Sequence, residues 1–137
     1  MPFEWLNDIM ARIYRMTLPV GPIESATTFY QSVLKLEGKR ISPTRHYFNC
    51  GGTILVVCDF GVEGFGPEAD WKPFANQFVY FAVDDLEQAF ERVRDAGGDL
   101  RGGGIETKNW GERLFYASDP FGNALCFVED ATLYIAG

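Results

Sequence analysis

Histidine is nearly missing from this chain: His46 is the only one in 137 residues. A histidine cluster, the commonest source of general bases and transition-metal ligands, is therefore excluded. Cysteine is scarce too. Cys50, Cys58 and Cys126 are an odd number without paired short spacing, which excludes a complete disulfide framework and a zinc knuckle and fits reduced thiols in the cytoplasm. Positive charge is in short supply, with 12 Lys and Arg against 19 Asp and Glu and a formal net charge of -7. Phosphate backbones require clustered cations, so nucleic acid is not an expected partner. No apolar run approaches the roughly 18 residues of a membrane span, and the N-terminal MPFEWLNDIM lacks both the basic flank and the apolar core of a secretory signal. A soluble protein without a membrane partner is expected.

The chain is rich in apolar residues: 47% are hydrophobic and 15% aromatic, enough to fill one core. It also repeats itself. RMTLPVGPIESA at 15–26 aligns without gaps to FVYFAVDDLEQA at 78–89, pairing Leu18 with Phe81, Val20 with Val83, Ile23 with Leu86 and Ala26 with Ala89. Each copy reads as a strand running into a helix with one apolar stripe. The first stripe is Ile23, Ala26, Phe29, Tyr30, Val33 and Leu34; the second is Leu86, Ala89, Phe90, Val93 and Ala96, capped by Asp84 or Asp85 and stopped by Gly97-Gly98. Three strand-like segments follow each helix. These are 39–41, 46–50 and 53–59 in the first copy, and 99–107, 113–118 and 124–128 in the second, with Gly51-Gly52 and Asp119 to Asn123 as hairpin turns.

The pattern predicts an α+β fold of two tandem βαβββ modules, residues 11–60 and 77–130. A connecting loop covers 61–76, an N-terminal extension 1–10 and a C-terminal tail 131–137. Phe3, Trp5, Leu6 and Ile9 fall at roughly helical spacing, so the extension reads either as a short amphipathic helix or as a frayed end. Neither module covers both faces of its own sheet, which is the physical reason for joining two.

Three motifs in this order, LPVGPIESATTFYQSVL, FAVDDLEQAFERVRDAGG and WGERLFYASDPFGNALCFVE, resemble the vicinal oxygen chelate superfamily, the glyoxalase, bleomycin-resistance and extradiol-dioxygenase group, from about Arg12 to Asp130. The resemblance implies a curved mixed sheet around a concave cleft. In metal-dependent relatives the ligands are His or Glu at the first residue of each opening strand and at the fourth residue after the glycine of each last hairpin. Those places here are Arg15, Phe78, Val56 and Cys126. The resemblance therefore points to the metal-free, bleomycin-resistance-like members, with no metal and no cofactor.

Alternation along the strands sorts the side chains. Met16, Leu18, Val79, Phe81, Leu55, Val57, Leu125 and Phe127 are expected to face the helices. Arg15, Thr17, Phe78, Tyr80, Val56 and Cys126 are expected on the concave side, which makes them candidate ligand contacts. By the resemblance Trp110 and Arg113 border the same cavity, although Arg113 could instead bridge surface acids. A buried or half-buried Arg15 must be paired, either with a carboxylate of this protein or with an anionic or carbonyl oxygen of a ligand. Cys126 reads as a packing residue or as a thiol nucleophile, and His46 as a half-exposed strand residue without a visible orienting partner.

Two functional classes follow. One is a small-molecule-binding protein, a homodimer by the resemblance, that holds an apolar or aromatic ligand in the cleft in a sequestration or resistance role. The other is a lyase, isomerase or dioxygenase-type enzyme with displaced ligands, which needs polar groups in the cavity. A structural module with a filled cavity is a third reading.

Overall fold

The computed structural model describes residues 11–65 and 72–134, with the side chains of 64 and 65 excepted. The reading of the first ten residues lies outside the described residues. The first module runs β1 (Arg15–Pro19), α1 (Ile23–Leu34), β2 (Lys39–Ser42), β3 (Arg45–Cys50) and β4 (Thr53–Cys58). The second repeats the order with β5 (Val79–Val83), α2 (Leu86–Asp95), β6 (Asp99–Thr107), β7 (Arg113–Ser118) and β8 (Ala124–Glu129). A short π-helical turn at Gly61–Phe65 leaves the first module, and a 3-10 turn at Asp130–Thr132 follows the second.

Each module makes its own four-stranded mixed sheet, ordered β1-β4-β3-β2 and β5-β8-β7-β6. In each, the opening strand pairs parallel with the last one and the other pairings are antiparallel. The local chemistry explains the helix ends. Asp85 caps α2 by accepting from the Gln88 backbone N–H at 3.0 Å, and Gly97 follows the helix with φ +96°, a conformation open to glycine. Helix α1 starts at Pro22 without a side-chain cap and ends on Lys35 in the left-handed region. Gly38 is needed for a different reason: at φ +67° an added Cβ would lie 2.6 Å from the Tyr47 carbonyl oxygen.

Period-two patterning sets the packing. Leu18, Leu55 and Val57 from one sheet and Val79, Phe115, Leu125 and Phe127 from the other share one core with both helices. Within it Phe127 stacks between Phe81 and Phe115 at centroid distances of 5.2 and 5.1 Å, and Phe90 meets Phe115 edge-on. A polar tie crosses the same core. The Tyr30 hydroxyl of α1 donates to the Asp119 carboxylate at 2.7 Å, and Asn123 Nδ2 donates to the Pro19 carbonyl at 3.0 Å, so the β7–β8 turn is fastened to the first module. The opposite sheet faces carry two separate clusters, Val56, Cys58 and Phe60 in the first module and Leu114, Cys126 and Val128 in the second.

His46 departs from expectation. It is buried, not half-exposed: Nε2 lies 2.9 Å from the Glu37 carbonyl oxygen and Nδ1 is 3.2 Å from Arg40 Nε. A carbonyl can only accept and a guanidinium can only donate, so the ring is neutral with its hydrogen on Nε2. Both nitrogens are occupied, and the residue serves the structure.

Candidate functional site

The face of the second sheet turned away from the helices is a run of rings. Phe78 meets Tyr116 edge-on at 5.1 Å and lies 6.3 Å from Tyr80, while Arg101 stands over the Phe78 ring at 5.4 Å. Tyr80 and Trp110 are 60% and 62% exposed, large values for residues with this much apolar surface. Between them lies a cavity of about 450 Å³ bounded by Tyr80, Trp110, Glu112, Leu114, Tyr116 and Val128. The volume suits a small organic molecule.

The rim of this cavity is the β6–β7 loop. Lys108 N–H donates to the Glu112 carbonyl at 2.8 Å, and Gly111, at φ +99°, lets the chain turn back. This closure sets Trp110 beside the cavity, with its indole N–H donating to Glu112 Oε1 at 2.9 Å. Lys108 pairs with Glu106 at 3.0 Å and lies over the rings of Trp110 and Tyr116, at 5.8 and 5.2 Å from their centroids. The Glu106 hydrogen bond is the main cause of the upward shift of the Lys108 ammonium.

Other candidate residues sit elsewhere. Val56 and Cys126 are on the expected face but are fully buried beneath their neighbours. Cys126 is next to Tyr80 in the β5–β8 pairing, and burial pushes its thiol up to about 12. It is therefore protonated at neutral pH and a poor nucleophile. Thr17 is half-buried beside Val56. Arg15 is exposed, not half-buried: it donates to the Tyr47 hydroxyl at 2.8 Å and lies against the rings of Tyr14 and Tyr47. Its oxygen partner is a phenol of this protein, neither the carboxylate nor the ligand oxygen expected from the sequence.

Arg113 does not border the cavity. It bonds Glu129 at 2.8 Å and Glu87 of α2, so it belongs to the helix side of the sheet. Alternation along β7 explains why: Arg113, Phe115 and Ala117 share one face, while Leu114, Tyr116 and Ser118 share the other. The same count identifies Tyr116 as a cavity residue. Lys108 and Glu112 carry no such signal, since a hairpin loop has no period to read.

A second cavity, about 400 Å³, lies at the junction of the modules among Met16, Cys50, Ile54, Phe78 and Tyr80. Tyr80 borders both cavities.

The profile of the Glyoxalase/Bleomycin resistance protein/Dioxygenase superfamily matches residues 12–127. The chain belongs to this superfamily. Among solved structures, it is similar to a glyoxalase/bleomycin resistance protein/dioxygenase family enzyme from Burkholderia phytofirmans PsJN, with a TM-score of 0.75 and 15% identity over 90% of this chain and 100% of that one. It is also similar to a glyoxalase-related enzyme from Fulvimarina pelagi, with a TM-score of 0.74 and 17% identity over 93% and 94% of the two chains. A lactoylglutathione lyase from Agrobacterium tumefaciens has a TM-score of 0.67 and 19% identity over 92% and 98%. These likenesses establish the fold. No curated protein matches the chain.

Superfamily membership raises the question of a divalent metal, and the donor set here does not fit one. The four positions hold an exposed guanidinium, a phenyl ring, a buried isopropyl group and a buried thiol. Among the described residues no three His, Cys, Asp or Glu side chains are grouped to hold an ion. A catalytic divalent ion needs about three such ligands.

Proposed function

We propose that this member of the glyoxalase/bleomycin-resistance superfamily binds a small aromatic molecule, without a metal, in the ring-lined cavity of the second module. The observation that carries the reading is the exposure of Tyr80 and Trp110 on either side of a cavity whose floor is apolar. Rings left in water at the edge of a concave surface gain roughly 25 cal/mol per Å² of apolar area when a ligand covers them. The groups within reach favour holding over turnover. The Cys126 thiol stays protonated, and His46 lies in the other sheet with both nitrogens occupied. We propose further that two copies associate, as the family resemblance implies, and that the protein works in the cytoplasm.

The test is a thermal-shift and calorimetric panel of neutral and charged aromatic compounds, run on protein whose metal content has been measured. Binding predicts a midpoint that rises with ligand concentration, by RT ln(1 + [L]/Kd) in free energy, and that is insensitive to EDTA. Dependence of binding on a stoichiometric divalent ion would overturn the metal-free reading. Absence of any shift across the panel, or unchanged binding in Trp110→Ala, would overturn the cavity.

A further inference from the structure

The rings on the two non-helical sheet faces are almost all matched to a cation of this chain. Arg15 serves Tyr47, Arg45 serves Phe60, Arg101 serves Phe78, and Lys108 serves both Trp110 and Tyr116. Tyr80 is the exception. No described cation stands against its ring, which is among the most exposed on the surface and borders the cavity. The carboxylate on the same cavity wall, Glu112, is unmatched in the same sense. It accepts from the Trp110 indole N–H and, at 3.4 Å, from the Tyr134 backbone N–H, both neutral donors, and it forms no ion pair with a described Lys or Arg. Neither group is thus in direct contact with a described cation, and Lys108 acts on the Tyr80 phenol only at longer range, with a smaller effect than that of Glu112.

Resting on the reading of this cavity as a ligand site, we propose that its ligand is an organic cation. The ammonium would sit between the Tyr80 ring face and the Glu112 carboxylate, while Trp110 and Tyr116 flank the apolar part. Aromatic faces attract cations through the ring quadrupole, and more strongly where water is excluded. Lys108 makes the same contact with Trp110 and Tyr116 from within the chain, which shows that these rings accept an ammonium. The local field agrees in sign. At Cys126, beside Tyr80, the effect of Glu112 comes next after burial and ahead of the opposing effect of Lys108. The net charge of -7 adds long-range attraction for a cation.

The probes are benzyltrimethylammonium, its neutral isostere neopentylbenzene, and the smaller anion phenylacetate. Affinities are measured by calorimetry and by quenching of tryptophan fluorescence on the full chain. The cation is expected to bind about tenfold more tightly than the neutral isostere, and the anion more weakly than both. Glu112→Gln and Tyr80→Leu should each lower affinity for the cation about threefold to tenfold and leave the neutral probe within about twofold. Tyr80 and Glu112 lie outside the core, so both variants should fold, and circular dichroism melts will verify it. Equal binding of the cation and the neutral isostere would overturn the charge assignment and leave the aromatic cavity standing. Preference for phenylacetate would do the same. Failure of all three probes to bind would overturn both readings.

Discussion

Removing one oxygen atom, in Tyr30→Phe, tests how the two modules are held together. Tyr30 is fully buried and its hydroxyl donates to the Asp119 carboxylate at 2.7 Å; Asp119 also accepts from Asn123 Nδ2 at 2.8 Å and from the backbone N–H groups of Phe121 and Asn123 at 2.9 and 2.8 Å. Asp119 is 2% exposed, so water cannot replace the lost donor without entering the core. A hydrogen bond to a buried charged group contributes about 1.5–3 kcal/mol, and three of the four donors remain, so a loss of about 2 kcal/mol is expected. For 137 residues that corresponds to a midpoint lower by about 7 °C. The assay is urea and thermal unfolding of both proteins, with the urea dependence checked for an unchanged slope.

Alkaline pH sharpens the same test. Burial first, and then the charge and hydrogen bond of Asp119, raise the folded Tyr30 phenol well above its ordinary value of 10.0. The unfolded phenol ionises near 10 while the folded one does not. This contribution to stability is therefore complete below about pH 10 and is lost as pH rises above it. The wild type should lose stability there faster than Tyr30→Phe, and the two curves should converge. A destabilisation below about 0.5 kcal/mol at pH 7, or parallel curves above pH 10, would refute the claim that this hydroxyl ties α1 to the β7–β8 turn.

Asp85→Ala removes the cap of α2 and should cost about 1 kcal/mol in urea unfolding, with Asp85→Asn recovering most of it. Thiol labelling of the native protein should be fastest at half-exposed Cys50, whereas Cys58 and Cys126, buried and pushed up to about 11 and about 12, should react only on unfolding. Glu63 is held at about 2, chiefly by its hydrogen bond to Arg45. Its contribution, about 1 kcal/mol for a partly accessible pair, is present above its ordinary 4.5 and is lost as pH falls towards 2. The stability gap between wild type and Glu63→Gln should therefore close over that range.

The repeat was readable because two physical periods are strong in this chain. The 3.6-residue stripe of Ile23, Ala26, Phe29, Tyr30 and Val33 and the alternation of Val79, Phe81 and Val83 against Phe78 and Tyr80 depend only on near neighbours. Applying the same alternation to β7 would have placed Tyr116 in the cavity and Arg113 out of it. His46 was harder. Its partners are Glu37, just before β2, and Arg40 within it, and whether a strand histidine is buried depends on what covers it.

By itself, then, the sequence determined the two βαβββ modules, the face of most strand residues and the absence of His and Glu from the four positions that the family resemblance singles out. Those properties are local in the chain or a matter of residue identity. Only the tertiary structure decided which side chains border a cavity. It buried Val56 and Cys126, left Arg15 exposed against Tyr47, sent Arg113 to Glu87 and Glu129, and brought Glu112, Trp110 and Tyr80 around one cavity. Burial and ion pairing depend on residues distant in the chain, such as Tyr80 and Trp110, meeting in space, and no periodicity records such meetings.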